Sequence, residues 1–317
     1  MDIRGGNING ASIVGNPALY DFVTWTFTNA NSTGQFGPTT ANLRAIYNTT
    51  GNTWINNDTY FTSVAGIQYW TVPVTGTYTV TAAGASGGGN IGRGALISGT
   101  TTLYRGETIR IAVGQRGGNT QVYYGSGGGG SFVVRTPFNS NTSIVAIAGG
   151  GGGVSRTALT AANTTTTGGQ ATVVPGATSN GIRATGGGGG GGYISAGGLN
   201  GANGADQASS GYAGGGGGFF GNGGGSGGSQ VGGRSWTFGA NGGPAGTGDT
   251  AGGFGGGGGQ NSRGGGGGGY NGGGAGDNNV YDGAGGGSYT LNLSGVSATA
   301  NTILGNGYVI ITLVSTL

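Results

Sequence analysis

GGFGGGGGQNSRGGGGGGYNGGGAG, residues 252–276, is almost entirely backbone. Phe254, Gln260, Asn261, Ser262, Arg263, Tyr270, Asn271 and Ala275 interrupt the glycines. Side-chain burial cannot fold such a stretch, and entropy opposes it. Each glycine costs about 0.5–1 kcal/mol more to order than an alanine. A glycine α-helix is poor, and a flat sheet leaves open edges. The remaining geometry is the left-handed extended helix with about three residues per turn, whose N–H and C=O groups all point outward. If every neighbour is also glycine, such helices pack closely and bond to one another, each bond contributing a net ~0.5–1.5 kcal/mol. Glycine Cα–H···O contacts add to this. Runs of five to seven glycines would form rods roughly 16–22 Å long at about 3.1 Å per residue. The expectation is a bundle of polyglycine-II helices over residues 181–287. Aromatics at run ends (Tyr193, Phe219, Phe220, Phe254, Tyr270) would seal its rims, and polar turn formers would link the rods.

Outward from this block the composition changes. Glycine supplies 88 of the 317 residues, far above the usual ~7%. Aromatic residues are nevertheless 9% and hydrophobic residues 34%, which a disordered linker lacks. The apolar residues sit in strand-like runs. YDFVTWTFTNA (20–30) alternates as a half-buried strand, with Phe22 in one row and Val23, Trp25 and Phe27 in the other. GPTTANLRAIYNTTG (37–51) reads as a short helix capped by Thr39 or Thr40, with Leu43, Ile46 and Tyr47 on one face and Gly51 as its stop. GIQYWTVPVTG (66–76) and TYTVTAAGASG (77–87) read as a strand pair around Thr75–Gly76, followed by strands in ALISGTTTLYRGETIRIAVGQRG (95–117). GSFVVRT (130–136), SIVAIAGG (143–150), SYTLNL (288–293) and GYVIITLV (307–314) complete the set. Short strands separated by turn signals predict an all-β sandwich, its first part over 21–180 and its closing strands over 288–317. Residues 1–20 read as an N-terminal docking arm, with Ile3, Ile8, Ile13 and Val14 as its apolar contacts.

Missing residue types exclude several functions. All eleven cationic side chains are arginine; with no lysine there is no phosphate-cradling lysine loop. With no histidine there is no imidazole base, and with no cysteine no thiolate metal site. Glu107 is the lone glutamate, expected on a solvated turn, and Asp277 and Asp282 flank a polar turn, so no catalytic, cofactor-binding or metal-binding residue is assigned. A net charge of +3 is no nucleic-acid footprint, and three scattered arginine–glycine sites do not form an RNA-binding box. No apolar run reaches the ~18 residues of a membrane span. The start lacks a signal-peptide core.

One family carries these features together. GIQYWTVPVTGTYTVTAAGASGG (66–88), YRGETIRIAVGQRGG (104–118), GGGGSFVV (127–134), IVAIAGGGGG (144–153) and the 251–291 stretch occur in this order. The series resembles the glycine-rich domain of the anaplastic lymphoma kinase and leukocyte tyrosine kinase receptor family, and glycine-rich modules of bacterial and bacteriophage proteins. The resemblance implies a jelly-roll-like β-sandwich with a large inserted polyglycine-II bundle. The receptor domain carries cysteines and this chain has none, so no receptor residue is carried over. The functional expectation is a non-enzymatic virion structural protein: a bacteriophage tail fibre, adhesin or decoration subunit made in the host cytoplasm. Phe219, Phe220, Trp236 and Phe238 are its candidate contacts with a host-surface glycan or protein. The arm would join other subunits in a homo-oligomer or larger assembly. The alternative is a secreted filament or extracellular-matrix protein.

Overall fold

The computed structural model describes residues 17–48, 51–89, 92–121, 124–153, 182–183, 213–225, 232–245, 250–260, 263–276 and 282–317. In chain order the elements are β1 (Thr24–Phe27), α1 (Thr40–Tyr47), β2 (Phe61–Val64), β3 (Ile67–Thr71), β4 (Gly76–Ala83), β5 (Gly94–Leu103), β6 (Thr108–Ala112), β7 (Asn119–Gln121), β8 (Tyr124–Gly125), β9 (Ser131–Arg135), β10 (Ile144–Ala148), β11 (Ile182–Arg183), β12 (Tyr289–Thr290), β13 (Ser294–Ile303) and β14 (Tyr308–Thr316). The fold is all-β. One sheet has the order β1-β14-β4-β5-β13, a second β11-β12-β10-β9-β6-β3-β2, and β7-β8 is a separate ribbon. Every pairing is antiparallel.

Between the two large sheets lies one hydrophobic core. Phe27, Tyr78, Val80, Ile97 and Ile311 enter it from the five-stranded sheet, and Phe61, Trp70, Ile109, Ile111 and Val133 from the seven-stranded one. A second core covers the opposite face of the seven-stranded sheet and contains Ile67, Ala112, Phe132, Val134, Ile144, Ile147 and Tyr289. The central strands are therefore buried on both sides. That explains why SFVV and IVAIA are continuous apolar runs rather than alternating ones. In β10 a bulge between Ile144 and Ala146 turns Val145 and Ala146 both toward the first core, while Ile144 and Ile147 face the second.

Several sequence expectations are corrected here. β3 and β4 are not a hairpin: β3 pairs with β2 and β6, whereas β4 pairs with β14 and β5. Pro73 cannot donate a ladder bond, and Val72–Thr75 crosses from one sheet to the other. β5 and β6 are likewise in different sheets. The two crossings run side by side, stitched by Val72 N–H to Glu107 O (2.8 Å), Gly106 N–H to Val72 O (2.8 Å) and Arg105 N–H to Thr75 Oγ1 (3.0 Å). In the first strand, Phe22 packs against Trp70 and Tyr78 while Val23 is 73% exposed, so the alternation shifts phase there. Helix α1 has the expected cap at Thr39, reciprocated by Asn42. It buries Leu43 and Tyr47, one turn apart, and leaves Ile46 exposed.

Glu107 is not a freely solvated turn residue either. It holds Arg135 at 2.6 and 2.8 Å through both carboxylate oxygens and accepts the Tyr104 N–H.

Candidate functional site

At one end of the sheets the strands run out into glycine. Residues 84–89 follow β4, 92–93 precede β5, 114–118 follow β6, 126–130 precede β9 and 149–153 follow β10. These tails do not splay. They bond to one another and to the glycine segments 213–225, 232–243, 250–260, 263–276 and 282–287. The glycine body thus combines strand tails with the later glycine block.

Its bonding has a definite period. Along residues 265–270, successive N–H groups donate to Gly125, Gly214, Ala284, Gly128, Gly217 and Gly287. The acceptor segment changes at each residue and returns every third one. The carbonyls of this segment repeat the pattern. Gly264 and Gly267 accept from Gly276 and Gly273, Gly265 and Gly268 from Gly153 and Gly150, and Gly266 from Gly258. One segment is thereby bonded to six others. Segment 126–130 behaves alike: Ser126 and Gly129 donate to Gly118 and Gln115, Gly127 and Gly130 to Gly258 and Gly255, and Gly128 to Gly151.

Close approach makes these positions glycine. A Cβ on Gly267 would stand 2.2 Å from the Gly150 carbonyl oxygen, and one on Gly127 would stand 1.9 Å from that of Gly266. A Cα hydrogen in the same direction points at a carbonyl oxygen instead. The turn after Phe254 uses the left-handed backbone of Gly255 and Gly256, with φ of +98° and +84°.

Aromatic rings fasten this body to the seven-stranded sheet. Phe132 on β9 stacks on Trp236 (5.5 Å between ring centres, 23°), and Trp236 lies nearly parallel to Phe219 (6.2 Å, 8°). Phe219 meets Tyr270 (6.5 Å), which stacks on Tyr289 of β12 (4.2 Å, 14°). The polar tips are satisfied: Trp236 Nε1 donates to Phe138 O (2.7 Å) and Tyr270 OH to Asn141 Oδ1 (2.9 Å). Phe254 is fully buried, its ring against the close approach of Gly37 to Gly66. The run-end aromatics Phe219, Phe254 and Tyr270 therefore form a seam between the body and the sheet. Tyr193 lies outside the described residues.

The four candidate contacts separate by exposure. Phe219 and Trp236 are buried in the seam, which corrects their assignment to an exposed surface; the aromatic stack claims both rings. Phe220 is partly buried and meets Phe219 edge-on at 4.7 Å. Phe238 is 65% exposed. It ends the short 3-10 turn Trp236–Phe238, which stops at left-handed Gly239. The buried Trp236 two residues earlier holds this turn in place. Ile3, Ile8, Ile13 and Val14 lie outside the described residues. No alternation or spacing in the sequence separates Phe219 from Phe238; only the strand faces that receive the rings do so.

Among the described residues no helix is long and apolar enough to cross a membrane, and no three His, Cys, Asp or Glu side chains gather as metal ligands. No family model matches the chain. The chain is similar to the mouse leukocyte tyrosine kinase receptor, with 34% identity over 99 residues. That stretch is 29% of this chain and 11% of the receptor, so the chain spans about a tenth of that relative's length. The likeness is a distant relationship over part of the chain.

Proposed function

We propose that the glycine body is a polyglycine-II bundle inserted into a jelly-roll-like sandwich, and that the protein is a non-enzymatic, rigid display scaffold. The observation that carries this reading is the three-residue return of hydrogen-bond partners along 265–270. A helix with three residues per turn surrounded by parallel and antiparallel neighbours has that return. A β-strand, with its period of two, does not. Such a body resists bending because each rod is tied on several sides. It also presents turns such as Trp236–Phe238 at fixed positions.

The setting we infer is a virion. The protein serves as a bacteriophage tail fibre, adhesin or decoration subunit, with the bundle facing a host-surface glycan or protein. The N-terminal arm joins other subunits, in a homo-oligomer or larger assembly. Exposed Phe238 is the contact residue favoured by geometry, since an aromatic ring gives large contact area at low entropy cost. Detection of the protein in purified particles, together with binding of the isolated protein to host cells that Phe238→Ala weakens, supports this reading. Absence from particles and no cell binding would refute it.

A secreted filament or matrix protein is the second reading. Its support is that β1 and β13 bound one sheet and β11 and β2 the other as edge strands, which can add a further strand. Electron microscopy of the purified protein separates filaments from discrete particles.

A further inference from the structure

A cleft of about 550 Å³ opens where the glycine body meets the turn between β13 and β14, lined by Thr33, Arg116, Gly117, Gly118, Thr250 and Asn306 among others. Its walls are fixed. Arg116 N–H donates to Asn306 Oδ1 (2.9 Å), Ser86 N–H to Gly305 O (2.8 Å) and Gly117 N–H to Ser86 O (3.0 Å). Thr250 is held by Ser126 (2.7 Å) and Gln260 (3.1 Å).

Several other arginines among the described residues have protein partners. Arg44 and Arg135 hold carboxylates, Arg105 bonds the Pro17 carbonyl, and Arg110 lies over the rings of Phe138 and Tyr69. The Arg116 guanidinium has no ion pair, hydrogen bond or ring partner among the described residues, and its Nε is withdrawn from solvent without an acceptor. A charged donor desolvated without a partner is costly, and a ligand that accepts from the same fork recovers part of that cost. No carboxylate and no aromatic ring lines the cleft among the described residues. Among the described residues neither the Thr33 hydroxyl nor the Asn306 side-chain NH₂ has a hydrogen-bond partner.

We propose that this cleft binds an acidic saccharide, with the sugar carboxylate on the Arg116 fork and ring hydroxyls on Thr33, Asn306 and the glycine backbone. One guanidinium matches one carboxylate in charge and planar geometry; a phosphate dianion calls for more positive charge than the cleft holds. The cleft has the size of a small-molecule site and exceeds what a bare ion fills. The absence of an aromatic ring among the described lining residues disfavours a nucleobase. The inference adds a ligand class to the glycan-display reading and takes its biological setting from it. Binding by the isolated protein tests the cleft alone, whereas particle localisation tests the scaffold.

The test titrates the full chain with glucuronate, glucose, acetate and inorganic phosphate, followed by calorimetry or backbone chemical shifts. Glucuronate should bind saturably and at least tenfold more tightly than glucose, acetate or phosphate. Arg116→Gln should weaken glucuronate at least tenfold and leave the melting temperature unchanged. Thr33→Val, at an exposed residue, should weaken it severalfold and carries the test if Arg116→Gln does not fold. No saturable glucuronate binding, equal binding of glucose, phosphate binding tighter than glucuronate, or unchanged affinity in both variants would overturn the proposal.

Discussion

Replacing Gly267 by alanine puts a methyl group into a crowded part of the glycine body. The new Cβ would sit 2.2 Å from Gly150 O, 2.8 Å from Gly150 C and 2.9 Å from Gly286 N, where ordinary contact begins near 3.4 Å. These obstacles are backbone on two neighbouring segments, so no side-chain rotation relieves them. The segment must move by about an ångström. The bonds at risk are Gly267 N–H to Ala284 O, Gly273 N–H to Gly267 O and Gly150 N–H to Gly268 O, each 2.8 Å. Each is worth roughly 0.5–1.5 kcal/mol, and a buried group left unpaired costs about 1–3 kcal/mol. The reduced freedom of the unfolded chain returns only about 0.4–1 kcal/mol. The expected net loss is about 3–5 kcal/mol. Gly106→Ala is the matched control: its φ is +80° and no atom lies within 4 Å of the added Cβ, so it should cost about 1–2 kcal/mol through backbone strain alone. Urea unfolding of both variants beside the parent measures the difference. A Gly267→Ala protein no less stable than Gly106→Ala would refute the close-packed reading of the body.

Phe219→Ala should destabilise by about 3–5 kcal/mol, because it empties the middle of the aromatic seam. Phe238→Ala at the exposed turn should stay within about 0.5 kcal/mol, and denaturant midpoints compare the two. Arg135→Ala should cost about 1–3 kcal/mol at pH 7 by removing both bonds to the half-buried Glu107. Stability should also fall in alkali. Burial raises the Tyr20 and Tyr47 phenols above their ordinary value of 10.0 and pushes Tyr78 up to about 12. A raised phenol pKa means that the native state keeps the proton. Its contribution is therefore whole below pH 10 and is lost as pH rises from there through the native value, at up to about 1.4 kcal/mol per pH unit per group. Melting curves between pH 9 and 12 should show the decline, and Tyr78→Phe should make it shallower.

The sequence shows which residues form strands better than which strands pair. Val133 and Ile111 announce themselves through apolar runs, because both faces of their sheet are covered. β13 gives no such sign. SGVSATANTI is small and polar, fitting an edge strand with one wet face, and its register comes wholly from β5. The crossings at Val72–Thr75 and Tyr104–Glu107 look like hairpin turns because local composition does not record which sheet receives the next strand. Glycine content marks the 181–287 block, but the bonds between that block and the strand tails leave no mark in the sequence. Gly127 and Gly150 lie in the 21–180 stretch read as sandwich, and their N–H groups donate to Gly258 and Gly268. Phe219 and Phe238 are equal by composition, and only the position of Phe132 and Tyr270 decides that one is core and the other surface. The Arg116 cleft was not legible at all, since its residues come from four distant parts of the chain.

Amide exchange along Gly264–Tyr270 tests the central claim most directly. If backbone bonds between segments hold the glycine body rigid, these amides exchange orders of magnitude more slowly than in a free glycine peptide and lose protection together with the strand amides of β9 and β10. Exchange at the free-peptide rate while β9 and β10 stay protected would contradict it.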